Sequence, residues 1–174
     1  MTLNQQLRHW NALLFNEASI ELLRTFSSWK WARVNFFLGV FLLSLPLTYD
    51  EVFTTPQSYA WYLVLYAGLI IALFGLSRLF GSEMPLVKFW HTVSTLVLFS
   101  AIPLTIVTYV ALFLLEWILD NAAIPNLIVS VIPFYLYLLM AFGAEQAARI
   151  ASEKKSIAFG IVSVVVIYSA FYFL

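Results

Sequence analysis

Residues 89–118 read FWHTVSTLVLFSAIPLTIVTYVALFLLEWI, and residues 125–148 read PNLIVSVIPFYLYLLMAFGAEQAA. About 20 helical residues, rising about 1.5 Å each, cover a hydrocarbon core of about 30 Å, so either segment is long enough to cross a bilayer. Neither carries a charge in its central part. Glu116 and Glu145 stand near segment ends, where a carboxylate reaches headgroup water. Two uncharged spans joined by a short acidic turn point to a membrane protein.

The bulk composition agrees. Of 174 residues, 63% are hydrophobic and 10% charged, and the mean hydropathy is +0.91. A soluble domain carries roughly 25% charged residues, so polar surface here is too scarce to coat a water-soluble globule. One membrane domain is expected. Cysteine is absent, which excludes disulfides, thiol catalysis, thiolate metal sites and palmitoylation. The first 33 residues mix Asn, Gln, Glu and Arg with apolar residues, unlike a cleavable signal peptide.

Outward from the two long segments, three more spans are expected. The fold class is all-α: a polytopic integral membrane bundle of five transmembrane helices, at about 34–49, 59–80, 89–118, 125–148 and 157–174, preceded by an amphipathic N-terminal helical segment over 1–33. In that segment Leu3, Leu7, Trp10 and Leu14 form one apolar helical stripe. Asn16 reads as an N-cap for a second short helix, about 17–26. The pair suits a position in the membrane interface or against the protein's own loops. Gly68 and Gly75 in the second span are candidates for close helix approach.

Charge orders the spans. Arg8, Arg24, Lys30 and Arg33 precede the first, Arg78 and Lys88 flank the second loop, and Arg149, Lys154 and Lys155 fill the fourth. That is all nine Lys and Arg on one side, whereas the opposite loops hold Asp50, Glu51, Glu116 and Asp120. The positive-inside rule then puts the N-terminus in the cytosol and Leu174 on the far side. Trp29, Lys30, Trp31 and Arg33, together with Lys88, Arg149, Lys154 and Lys155, are read as interface residues that set topology.

In this layout the chain resembles the divergent prokaryotic branch of the Yip1 family. The resemblance rests on ALLFNEASIELLR at 12–24, SAIPLTI at 100–106, and VIPFYLYLLMAFGAEQAARIASEKKSIAFGIVSVVVI at 131–167. The last is a proline, an aromatic half-helix, a small-residue stretch and a basic loop leading into the final helix. The DLYGP signature of eukaryotic members is absent. The resemblance implies a cytosolic N-terminal segment, five closely spaced helices, a bacterial plasma (inner) membrane and a membrane-organising role. It transfers no catalytic residues.

Pro46, Pro103 and Pro133 lie inside expected spans, and residue counts put all three in the outer half of the membrane, Pro103 about 20 Å up and Pro133 about 12 Å down. Each lacks an N–H and frees the carbonyl four residues earlier, at Leu42, Phe99 and Val129. Ser44, Ser100, Thr105 and Ser130 are near enough in sequence to partner such groups. One reading is a proline-kinked groove between helices 1, 3 and 4, marked by Pro46, Pro103, Pro133, Ser100 and Ser130. The simpler one is kinks absorbed by packing.

His91 stands alone at the inner end of the third span and is expected to hydrogen-bond at the interface. Glu145 and Arg149 have i,i+4 spacing. No zinc-protease, serine-hydrolase or phosphate-loop motif is present, so no enzyme, metal or cofactor is expected. Aromatics make up 18% of the chain and suit lipid-facing and packing positions. The expected function is a non-enzymatic membrane scaffold or complex subunit. Its partners are membrane lipids and another membrane protein or a second copy, with no nucleic acid. The alternative is a small carrier for a lipid or other hydrophobic molecule.

Overall fold

The computed structural model describes residues 27–47, 56–119 and 137–173. These form five helices and no strand. They are α1 (Trp29–Leu47), α2 (Pro56–Leu79), α3 (Leu86–Leu119), α4 over 137–148, and α5 (Glu153–Phe173). Tyr59–Leu79 and Glu153–Tyr172 are each long and apolar enough to cross a membrane. The amphipathic stretches at 3–15 and 17–26, and the first part of the fourth expected span, lie outside the described residues.

Helix starts are set by caps and not by the onset of the apolar run. α1 begins at Trp29, ahead of the expected Val34, because Ser28 occupies the N-cap and its carbonyl accepts the Ala32 N–H at 2.8 Å. Trp29 to Arg33 therefore belong to α1 and not to a separate N-terminal segment. α5 likewise begins at Glu153, with Ser152 accepting from Ser156 N–H at 2.9 Å and the Glu153 carboxylate in the positive first turn. Pro56 opens α2, where its missing N–H costs nothing.

Contacts fix the helix directions. Asn35 meets Thr95, and Leu42 meets Thr105, so α1 and α3 run parallel. Tyr66 packs on Phe171 and Phe80 on Phe159, so α2 and α5 are antiparallel. Tyr137 stacks on Phe171 with ring centroids 4.7 Å apart, while Glu145 meets Ser156, so α4 and α5 are antiparallel too. Phe74 packs on Phe89 across the turn between α2 and α3, so these two are also antiparallel and successive helices alternate. Lys30, Arg33, Arg78, Lys88, Arg149, Lys154 and Lys155, every lysine and arginine among the described residues, gather at one end of the bundle.

The α2–α3 turn is built at this basic end. Gly81 sits at φ 92°, and N–H groups of Gly81 and Ser82 return to the carbonyls of Arg78 and Ser77 at 3.1 and 3.0 Å. That is a Schellman closure, which needs a left-handed residue just past the helix. The Arg78 guanidinium lies 4.9 Å from the Phe74 ring centre and donates to the carbonyls of Ser82 and Met84 at 2.9 and 2.8 Å. Ser82, buried, donates its hydroxyl to Ala148 O at 2.6 Å. Ala148 ends α4, where carbonyls lack intrahelical donors, so one serine ties the turn to α4. Ser82→Ala is expected to cost about 1–3 kcal/mol, the penalty for stranding a buried acceptor. Hydrogen exchange should quicken in the last turn of α4 while α1 stays protected.

In the α1–α3 seam the two backbones approach closely. A Cβ on Gly39 would lie 3.2 Å from both Leu98 Cα and Leu98 N. Gly68 and Gly75, expected to permit close approach, meet nothing within 4 Å, so that role belongs to Gly39. The same two helices carry buried polar side chains, Asn35 on α1 and His91, Thr92, Ser94 and Thr95 on α3. Asn35 Nδ2 donates to Thr95 Oγ1 at 2.9 Å. His91 is buried inside the bundle, and its carbonyl accepts the Thr95 and Ser94 hydroxyls. Trp90 closes the basic end of the seam against Trp29 and Phe36, at 6.2 and 5.4 Å between ring centroids.

Candidate functional site: a groove headed by Glu145

α4 and α5 leave a groove of about 350 Å³ between them, lined by Leu138, Ala141, Phe142, Glu145, Ile157, Gly160, Ile161 and Val164. Antiparallel pairing puts Glu145 and Ile157 at the basic end of the bundle and Leu138 and Val164 at the other end of the groove. The walls are apolar except at Glu145. Its two carboxylate oxygens are held separately, Oε1 by the Ser156 hydroxyl and Oε2 by Gln146 Nε2 at 2.8 Å. Gly160 faces it across the groove: a Cβ there would stand 3.6 Å from Glu145 Cγ. Any side chain larger than methyl at 160 would therefore crowd the Glu145 stem and intrude on the groove.

The local sequence explains this arrangement. α4 ends at Ala148, and Arg149 takes φ 47°, the left-handed conformation that stops a helix. Arg149 thus leaves the helical register on which its expected i,i+4 relation to Glu145 depended. The short 149–152 link then delivers Ser156, in the first turn of α5, onto Glu145. A carboxylate in this setting can orient a cation or a hydrogen-bond donor whose remainder lies along apolar walls. Two hydrogen bonds leave about half of its roughly four lone-pair sites open.

The interface residues expected from sequence do share one end of the bundle. Lys154 and Lys155 stand exposed there in the first turn of α5. Among the proline group, Pro46 and Pro103 lie within α1 and α3, whereas Pro133 and Ser130 lie outside the described residues. Leu42 O, freed by Pro46, accepts the Thr105 hydroxyl from α3 at 2.8 Å. That bond places Pro46 and Pro103 within about 9 Å of one another in height and joins the two helices at that level. Ser44 instead donates back to Phe41 O at 2.8 Å within its own helix.

Sequence reading did not single out the groove. Its polar signal, Glu145 with Ser156 eleven residues on, becomes one site only once the 149–152 link reverses the chain. No cluster of three or more metal-ligating side chains occurs among the described residues. Comparison with protein-family models, with curated proteins and with solved structures finds no match for this chain.

Proposed function

We propose that the chain is a Yip1-like integral membrane scaffold that crosses the bilayer five times and works without catalysis, by holding a membrane partner and organising nearby lipid. The observation that carries this reading is an inverted distribution of polarity. Leu79, Val64, Ile161 and Ile71 are 83, 64, 63 and 56% exposed, whereas Asn35, His91, Thr92, Ser94, Thr95 and Ser163 are buried. A water-soluble bundle has the opposite arrangement. In hydrocarbon, apolar outer faces are solvated and interhelical polar contacts add cohesion that lipid does not compete for.

The alternating helices and the basic end support an odd number of crossings with the N-terminus in the cytosol, and the bacterial plasma membrane is what the resemblance to the prokaryotic branch implies. In this reading α1, α3 and the fourth span expected from sequence join α2 and α5 to complete the five. A reporter fused after Leu174 is expected to act from the far side, and one before Met1 from the cytosol. Both reporters active on one side would remove the five-span reading. Native mass spectrometry after gentle extraction tests the scaffold role: a fixed-stoichiometry complex with another membrane protein is the expected result. A lone chain that retains lipid and supports lipid exchange between vesicles would replace scaffold by carrier.

A further inference from the structure

We infer that the outer face of α1 is a binding site for one anionic phospholipid, its phosphate held by Lys30 and Arg33 and one acyl chain lying along Val34, Phe37, Leu38 and Phe41. The inference rests on the membrane reading above and deepens it by naming the lipid class. A cavity of about 670 Å³ lies against these six residues. Three of its features select this occupant.

The first is charge order. α1 starts at the basic end of the bundle, so the two cations stand at the interfacial end of the cavity and the apolar residues follow toward the membrane interior. An anionic lipid presents the same order, phosphate at the surface and hydrocarbon beneath it. Among the described residues no carboxylate lines the cavity. Lys30 Nζ lies 6.0 Å from the Trp31 ring centre and Arg33 Nε donates to Trp29 O at 3.3 Å, and neither cation is ion-paired among the described residues. The Arg33 bond leaves both terminal guanidinium nitrogens for the two-pronged contact that a phosphate accepts. The second feature is length. Lys30 to Phe41 rises about 16 Å along the helix, close to half of a hydrocarbon core of about 30 Å. That is the depth of one leaflet, whereas a soluble anion would use the cationic end alone. At Phe41, where the lining ends, Tyr59 of α2 packs edge-on with ring centroids 5.8 Å apart and donates to Phe37 O at 2.9 Å. The third is bulk. Val34, Phe37 and Leu38 are exposed, and no small residue interrupts the strip. Membrane helices associate closely through small residues, whereas a flexible acyl chain moulds itself to branched and aromatic side chains.

The test is native mass spectrometry of the full chain in a mild detergent, titrated with dioleoyl phosphatidylglycerol, phosphatidylethanolamine and phosphatidylcholine. One phosphatidylglycerol is expected to bind about tenfold more tightly than either zwitterionic lipid. Lys30→Gln with Arg33→Gln should remove that preference, and Lys154→Gln with Lys155→Gln, which takes the same charge from the same end of the bundle, should leave it intact. Should the first pair fail to fold, Val34→Trp keeps every charge, fills the cavity and should abolish the tight site. Benzoylphenylalanine in place of Phe37 is expected to crosslink to phospholipid in the membrane. Equal binding of the three lipids, a preference lost equally in both lysine-bearing pairs, displacement of the lipid by inorganic phosphate, or crosslinks to protein in place of lipid each overturn the site and leave the membrane reading intact. A chain that stays in solution without detergent and does not float with vesicles overturns both.

Discussion

Replacing Gly39 by leucine is expected to cost the bundle more stability than the same change at Gly68, Gly75 or Gly143. The Cβ of any substituent at 39 would stand 3.2 Å from two backbone atoms of Leu98. Backbone cannot swing aside as a side-chain terminus can, so α1 and α3 must separate. In a bilayer nothing compensates, because lipid tails are as apolar as the side chains and helices associate through close packing and interhelical hydrogen bonds. Separation would also stretch the 2.9 Å Asn35–Thr95 bond in the same seam. Gly39→Ala should therefore lose about 1–3 kcal/mol, the usual cost of overpacking, and Gly39→Leu more than that.

The other three glycines calibrate the result. Gly143 meets Leu96 Cδ1 at 3.0 Å, the flexible end of a side chain, so Gly143→Ala should fall between the extremes. Gly68 and Gly75 meet nothing, and alanine there should be neutral or gain up to about 0.5–1 kcal/mol from lost backbone freedom in the unfolded chain. Unfolding in mixed micelles by increasing dodecyl sulfate gives all four values on one scale. If Gly39→Ala unfolds at the same point as Gly75→Ala, the close α1–α3 approach is wrong.

A second large effect should be visible only as a coupling between two residues. Leu42 O cannot bond within α1, because position 46 is proline, and Thr105 supplies the donor from α3 at 2.8 Å. Thr105→Val keeps the shape and removes that donor. Interhelical hydrogen bonds in membrane bundles average about 0.6 kcal/mol and reach about 1.7, and stranding the acceptor adds to this, so a loss of about 1–2 kcal/mol is expected. In a Pro46→Ala background the new N–H at 46 can reach Leu42 O, and the same Thr105→Val change should cost little. The double-mutant cycle should therefore yield a coupling of about 1 kcal/mol between residues on different helices. Additive single effects would mean that Thr105 contributes only packing.

Much of the architecture is legible in hydropathy alone. Helices α2, α3 and α5 are found where apolar runs predict them, and the grouping of lysines and arginines at one end follows from their positions between runs. Boundaries are less legible. Ser28 and Ser152 extend α1 and α5 backward into charged sequence, since a helix begins at its cap whereas hydropathy registers only the apolar run behind it. Pro46 illustrates a middle case: the freed carbonyl is readable from one proline, and Thr105 is nameable as a nearby donor, but sequence does not say that the bond crosses between helices.

The amino-acid sequence by itself determined that this chain is helical, apolar in long runs and asymmetric in charge, because those properties belong to individual segments. Only the tertiary structure decided which faces meet. These helices are apolar nearly all round, so no periodicity marks an inner face, and Gly39 looks no different from Gly68 or Gly75 until α3 is seen against it. The same holds for Glu145, which sequence pairs with Arg149 by spacing. A left-handed turn at Arg149 gives the carboxylate to Ser156 instead and sets it at the head of a groove. Short-range rules act along one helix, whereas sites in a bundle are made between helices, by residues whose relation exists only after packing.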